Sequence, residues 1–199
     1  FNYFIINFFT FSIFFFFLIR KAKKTINNKI FFFYGWLFGF GYFGSNLYWI
    51  SISLTFDQSF KFLIPFTIIL IPSFLALFYG FISYFFLVLK PKSIISSFFI
   101  FSLIFGVIEF LRGIILTGFP WNLIIYSFSK ELEFLNITSI IGTYGLNLFC
   151  ISLFTRPAII FLKNSKKNIV VCIFFVITSV SFSVYGFSQK DSFYKADNK

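Results

Sequence analysis

The sequence predicts an all-α integral membrane protein, a bundle of about six transmembrane helices with both chain ends on the non-cytoplasmic side. Three observations carry this. Charged residues are only 12% of the 199, about half the share of an average soluble chain, and that is too little to cover a water-soluble body of this length. Hydrophobic residues make up 59% and gather into runs long enough to cross a hydrocarbon core about 30 Å thick, which takes roughly 20 helical residues. Ten of the seventeen Lys and Arg residues sit in three alternate connections between those runs.

Six runs are bounded by charge or turn residues: Phe1 to Ile19, Ile30 to Leu54, Phe62 to Leu89, Ser93 to Leu111, Ile137 to Leu162 and Asn168 to Phe187. They are apolar all round, as suits lipid-facing helices. The first linker holds Arg20, Lys21, Lys23, Lys24 and Lys29, the third Lys90 and Lys92, and the fifth Lys163, Lys166 and Lys167, with no carboxylate among them. The acids Asp57, Glu109, Glu131, Glu133, Asp191 and Asp197 fall in or beside the other linkers. Cytoplasmic loops collect Lys and Arg, so the basic linkers are expected inside and both termini outside. A net charge of +11 also fits a nucleic-acid footprint, but its concentration in three short loops beside apolar spans favours topology, and no nucleic-acid partner is expected.

The composition excludes several chemistries. Without His there is no Ser-His-Asp relay and no imidazole metal site. Cys150 and Cys172 lie inside apolar runs, where a free Cys acts as a small hydrophobe. No metal or other cofactor is expected. The forty Phe residues, beside many Ile, Asn and Lys, fit an AT-rich codon bias better than a stacking platform. The absence of Met and the start inside an apolar run fit a chain lacking its natural start.

Between Arg112 and Lys130 lie seventeen uncharged residues, nearly enough to cross. A crossing there would invert the last basic linker, and Gly118 and Pro120 interrupt a helix. The segment is therefore expected to be an external loop dipping into the interface, since irregular backbone at membrane depth needs shielding by protein or water.

Three clusters stand out. In EFLRGIILTGFPW, Glu109 to Trp121, the three-residue spacing of Glu109 and Arg112 puts them on one helix face, where they can pair; an ionisable pair at a membrane helix end either serves function or anchors depth. Trp121 and Tyr126 fit an interfacial aromatic belt. In GWLFGFGYFGSNLYWISIS, Gly35 to Ser53, the pairs Gly35 with Gly39 and Gly41 with Ser45 have the small-x-x-x-small spacing that lets helices approach closely, while Tyr48 and Trp49 reach the outer interface. IGTYGLN, Ile141 to Asn147, brings more small residues into a span. Glu131 and Glu133 fit a solvated loop face, and the sequon at Asn136 is expected to be a chance match.

The string EFLRGxxLTGFPW with Tyr126 and Ser127, the FGxFGSxxxWxxxS pattern of Phe40 to Ser53 and the GxxGLN of Gly142 to Asn147 resemble, in the same order, the membrane half of the apolipoprotein N-acyltransferases. The resemblance covers about Ile30 to Leu162, and by it the six spans correspond to family helices two to seven. It implies a multi-pass enzyme of the bacterial inner membrane, with both chain ends periplasmic. Such an enzyme takes an acyl chain from a phospholipid donor, holds it as a thioester on a Cys and passes it to the amino group of an apolipoprotein's diacylglyceryl-cysteine. The family's Glu-Lys-Cys site belongs to a nitrilase-like domain, and the residues after Phe187 are too few for one. The expected organisation is thus a transmembrane domain over 1–187 and the start of a periplasmic segment over 188–199, with no catalytic residue in this chain and no acyl transfer by it alone.

For the membrane half the resemblance implies a lateral opening for lipid tails. Gly118, Phe119, Pro120 and Trp121 are expected to form part of it. Arg112 would meet a phosphate, held by Glu109, with Trp121, Tyr126, Tyr48 and Trp49 at headgroup depth. The other readings are a small multipass transporter, which calls for broken helices and midplane charges, and a structural or lipid-binding membrane module.

Overall fold

The computed structural model describes residues 4–24, 27–89, 91–115 and 118–197, with backbone alone over 190–197. Of the charges that set the expected orientation, Lys90 and the side chains of Asp191 and Asp197 lie outside the described residues. The helices in chain order are α1 (Phe4–Ala22), α2 (Asn28–Ser53), α3 (Ile64–Leu89), α4 (Ile94–Ile114), α5 (Leu132–Leu135), α6 (Thr138–Thr155), α7 (Pro157–Leu162) and α8 (Lys166–Asp197), with 3-10 turns at Gln58–Leu63 and Ile124–Phe128. No strand occurs among the described residues. This is an all-α membrane protein.

Among the described residues five helical stretches are long and apolar enough to cross a membrane: Phe4–Ala22, Gln58–Leu89, Ile94–Ile114, Thr138–Leu162 and Lys166–Gln189. The remaining expected span is α2. Its 26 residues measure about 39 Å at 1.5 Å per residue, enough to cross, but four glycines together with Ser45, Asn46, Tyr48 and Trp49 lower its mean hydropathy. The helix of the last expected span does not stop at Phe187, and α8 continues to Asp197.

The chain divides into two compact units. One comprises Leu18–Pro91 and Val107–Asn122, and its body is the pairing of α2 with α3. The buried face of α2 is Phe31, Gly35, Gly39, Phe43 and Leu47, a strict four-residue spacing that stacks one side chain above the next along the helix. Gly35 and Gly39 lie against α3 so closely that a Cβ on Gly35 would run into the Tyr79 carbonyl and Ser83, and one on Gly39 would come within 2.8 Å of Tyr79 Cβ. The Trp36 indole donates to the Ser73 carbonyl at 3.0 Å. Gly41 and Ser45, the other pair with this spacing, do not pack: a Cβ on Gly41 would meet nothing within 4 Å, and the Ser45 hydroxyl turns back to the Gly41 carbonyl at 2.9 Å.

The other unit comprises Phe1–Phe17, Lys92–Gly106 and Leu123–Lys199. Its core is phenylalanine packed on phenylalanine: Phe8 meets Phe154 edge-on at 4.8 Å, Phe98 meets Phe175 at 5.6 Å, and Phe149 meets Phe182 at 4.9 Å. Such pairs add about 0.5–1.5 kcal/mol each beyond area burial in soluble hosts. Ser12 on α1 donates to the Phe154 carbonyl at 2.9 Å. The expected span Ile137 to Leu162 is interrupted twice. Gly142, at φ 73 and ψ 161, breaks the helical path inside α6, and Pro157 at the first turn of α7 removes a backbone donor after Arg156. Cys150 and Cys172 are free and buried.

Candidate functional site

The last two turns of α4 carry Glu109 and Arg112 on one face, as their spacing requires. The Arg112 guanidinium donates from Nε to Glu109 Oε1 at 3.1 Å and from Nη2 to Oε2 at 2.7 Å. Both side chains are buried, at 1% and 0% exposure. The two-pronged match of guanidinium to carboxylate uses the strongest geometry open to this pair, and in a low-dielectric site it is what makes either charge tolerable.

The same guanidinium reaches forward along the chain. Nη1 donates to the Phe119 carbonyl at 2.6 Å and to the Trp121 carbonyl at 3.1 Å, while the Phe119 amide donates back to the Arg112 carbonyl at 3.1 Å. Four of the five guanidinium N–H groups are thereby committed to the protein. The turn that allows this return is made at Gly118, with φ +75 and the Gly113 carbonyl where a Cβ would stand. Pro120 then keeps Phe119 extended, and the two alternate carbonyls face one donor. Asn122 closes the loop at φ 61, and its carbonyl accepts from the Tyr42 hydroxyl at 3.3 Å.

Aromatic rings from α2 and α3 complete the pocket. The Arg112 guanidinium lies 5.2 Å from the Phe43 ring centre, a cation-π distance. Tyr79, fully buried, is 4.9 Å from Phe43 and 5.6 Å from Tyr42. The arrangement holds a loop in place. Among the described residues it offers neither a nucleophile with a base nor a metal-ligating set.

Among the residues singled out from sequence, Glu109, Arg112, Gly118, Phe119, Pro120 and Trp121 come together here. Pro120 and Trp121 are exposed, with Trp121 at 60%. Arg112 does not face outward, as contact with a phosphate would require. Tyr48 and Trp49 lie on the exposed side of α2. Tyr126 is exposed on the 3-10 turn Ile124–Phe128, in the other unit.

Sequence reasoning missed Tyr42, Phe43 and Tyr79. The first two stand inside the FGYFGS string already singled out, one helical turn before Asn46 and Leu47; Tyr79 sits in a uniformly apolar helix that gives no local signal. In the other unit, Asn147 of the GTYGLN string is fully buried, and its Oδ1 accepts from the Ile125 amide at 3.0 Å. It pins the turn that carries Tyr126.

The segment holding both strings has a match among known families. Residues 1–154 match the family model described as the apolipoprotein N-acyltransferase N-terminal domain. The chain belongs to the apolipoprotein N-acyltransferase family. Relatives of that name include those of Brucella melitensis, 33% identical over 157 residues and 78% of this chain, Rhodopseudomonas palustris, 40% identical over 129 residues and 63% of the chain, and Rickettsia typhi, 34% identical over 175 residues and 83% of the chain. These matches cover 29%, 24% and 32% of the relatives' own lengths, so the chain spans about a quarter to a third of the apolipoprotein N-acyltransferases it matches. The family match contains the whole Glu109–Arg112 cluster and ends inside α6.

Proposed function

We propose that this chain provides the membrane part of an apolipoprotein N-acyltransferase in the bacterial inner membrane. The reaction moves an acyl chain from a phospholipid donor, through a thioester on an enzyme Cys, to the amino group of an apolipoprotein's diacylglyceryl-cysteine. The family match over 1–154 carries this reading. The thiol and its Glu and Lys partners belong to the nitrilase-like domain that the family resemblance implies, and neither buried Cys of this chain takes that role. The basic linkers face the cytoplasm and the Gly118-Phe119-Pro120-Trp121 loop faces the periplasm, below the catalytic domain. The bilayer is the chain's working environment, and nucleic acid is not a partner.

In this proposal the loop forms one side of the opening through which lipid tails reach the thiolate. Arg112 acts on the lipid through the loop: with its guanidinium committed to Glu109, Phe119 and Trp121, it fixes the backbone that presents Pro120 and Trp121. Tyr48, Trp49 and Tyr126 supply apolar surface at headgroup depth, where amphipathic rings are favoured. The test is a complete family enzyme carrying Arg112→Ala. The expected result is a raised KM for phospholipid with a smaller change in kcat; unchanged values of both would remove the loop from substrate handling.

A further inference from the structure

Arg156, like Arg112, lies within an apolar stretch, but it is treated differently. It follows α6 directly and precedes Pro157, inside the span Thr138–Leu162. Its Nη1 donates to the Cys172 carbonyl at 3.1 Å, the Cys172 thiol returns to the Arg156 carbonyl at 3.6 Å, and the guanidinium lies 5.7 Å from the Phe8 ring centre. Among the described residues no carboxylate pairs with it, since the one ion pair there is Arg112 with Glu109. Its Nε and Nη2 have no protein acceptor among those residues, yet they are not among the buried unpartnered atoms, and the side chain is only half-buried. The free N–H groups therefore open outward.

The surroundings say what would meet them. From Phe134 to Gln189 the chain has no acid, while Lys163, in the connection from α7 to α8, and Lys166 and Lys167, at the start of α8, are exposed. Asn168 Nδ2 donates to the Ile159 and Lys163 carbonyls at 3.0 and 2.5 Å, which clamps that connection. Asn168 and Cys172 are four residues apart on α8, about 6 Å along the axis, so Arg156 stands roughly one helical turn in from the lysine-bearing bend. Beside Cys172, Ile173 and Phe174 are exposed apolar side chains. A cation in hydrocarbon demands a partner, a long Arg side chain can lean toward the headgroup layer, and its paired N–H groups fit phosphate oxygens.

We propose that Arg156, backed by Lys163, Lys166 and Lys167, binds the phosphate of an anionic glycerophospholipid whose tails lie along α8. The site is separate from the Glu109–Arg112 loop and takes no part in acyl transfer. The lysines draw anionic lipid to the bend, Arg156 receives the phosphate, and the exposed face around Ile173 and Phe174 receives the tails, which is why a lipid fits this position better than a free phosphate ion.

The test is native mass spectrometry of the full chain released from micelles containing equal amounts of phosphatidylglycerol and phosphatidylcholine. Preferential retention of phosphatidylglycerol is expected. Arg156→Gln should weaken that preference about fivefold or more, the order for one juxtamembrane charge, and the Lys163→Gln/Lys166→Gln/Lys167→Gln variant, altered only at exposed side chains, should weaken it further. Circular dichroism establishes that each variant is folded. Equal retention of the two lipids by the unaltered chain, or an undiminished preference in folded Arg156→Gln, overturns the proposal. Displacement of phosphatidylglycerol by millimolar inorganic phosphate overturns it in favour of a free-anion site.

Discussion

Arg112 binds Glu109 through two hydrogen bonds at 3.1 and 2.7 Å, and the same guanidinium holds the carbonyls of Phe119 and Trp121. One side chain thus joins the end of α4 to the loop that follows it. The ion pair offsets the cost of a buried guanidinium, and the guanidinium fixes the path of a loop containing a glycine at positive φ and a proline. Neither pairing alone would do both.

Removing one partner of the pair leaves the other charge buried and alone. Glu109→Gln is expected to lower stability by about 3–5 kcal/mol, the range for breaking buried ion pairs, and to lower the melting temperature in detergent accordingly. Glu109→Leu combined with Arg112→Met removes both charges and with them the cost of a stranded buried charge, but not the loss of the Arg112 contacts to the loop. A single-site melting temperature equal to that of the unaltered chain would show that the pair is not buried in solution.

The same double substitution should not restore the loop. With Met at position 112, the Phe119 and Trp121 carbonyls are deprived of charged donors worth about 1.5–3 kcal/mol each. Hydrogen exchange at the Gly118 and Phe119 amides, bonded to the Ile115 and Arg112 carbonyls, should rise roughly 10- to 100-fold, the factor to which one such hydrogen bond amounts, while the α2 and α3 amides stay protected. Uniform exchange across the chain would mean global loosening instead of release of the loop.

Glycine spacing gives a paired prediction on α2. Gly35→Ala forces a Cβ against the Tyr79 carbonyl and Ser83 and is expected to cost about 1–3 kcal/mol, as overpacking does. Gly41→Ala adds a Cβ in open space and should be neutral or stabilising by about 0.5–1 kcal/mol through helix propensity. Melting temperatures of the two variants check the contrast, and equal effects would contradict the face assigned to α2.

That contrast also marks how far the sequence can be read. Span positions follow from uncharged length, because a bilayer admits few lengths of helix, and the Glu109–Arg112 pairing follows from helical spacing. Which small-residue pair on α2 packs cannot be read, since both have the same spacing and only the partner helix distinguishes them. Tyr79 is silent for a related reason: a helix apolar all round gives no inward face to read. The break at Arg156-Pro157 goes unread, since hydropathy runs straight through the pair and gives one continuous span from Ile137 to Leu162. Arg112 is expected from sequence to meet lipid, and the loop carbonyls that occupy it are set by backbone geometry that no side-chain pattern announces.

Asn147 tests the other unit. Its Oδ1 satisfies the Ile125 amide in a site closed to solvent. Asn147→Leu leaves that amide without an acceptor, at a cost of about 1–3 kcal/mol, and should speed exchange at Ile125 ahead of its neighbours on α6. Exchange at Ile125 unchanged by the substitution would show that the turn is held by burial of Ile124, Ile125 and Phe128 alone.

Trp121 separates a role in lipid handling from a role in folding. Its carbonyl is held by Arg112, which any side chain permits, while its indole is 60% exposed. Trp121→Ala should therefore leave the melting temperature close to that of the unaltered chain, as exposed substitutions usually do within about 0.5 kcal/mol. In a complete family enzyme the same change removes a large amphipathic ring from headgroup depth, and the expected effect is a KM for phospholipid several-fold higher, with Trp121→Phe recovering most of the loss. A variant that keeps its KM would leave the loop as a structural strap, and a variant that unfolds would show that the indole is buried in the membrane-embedded protein.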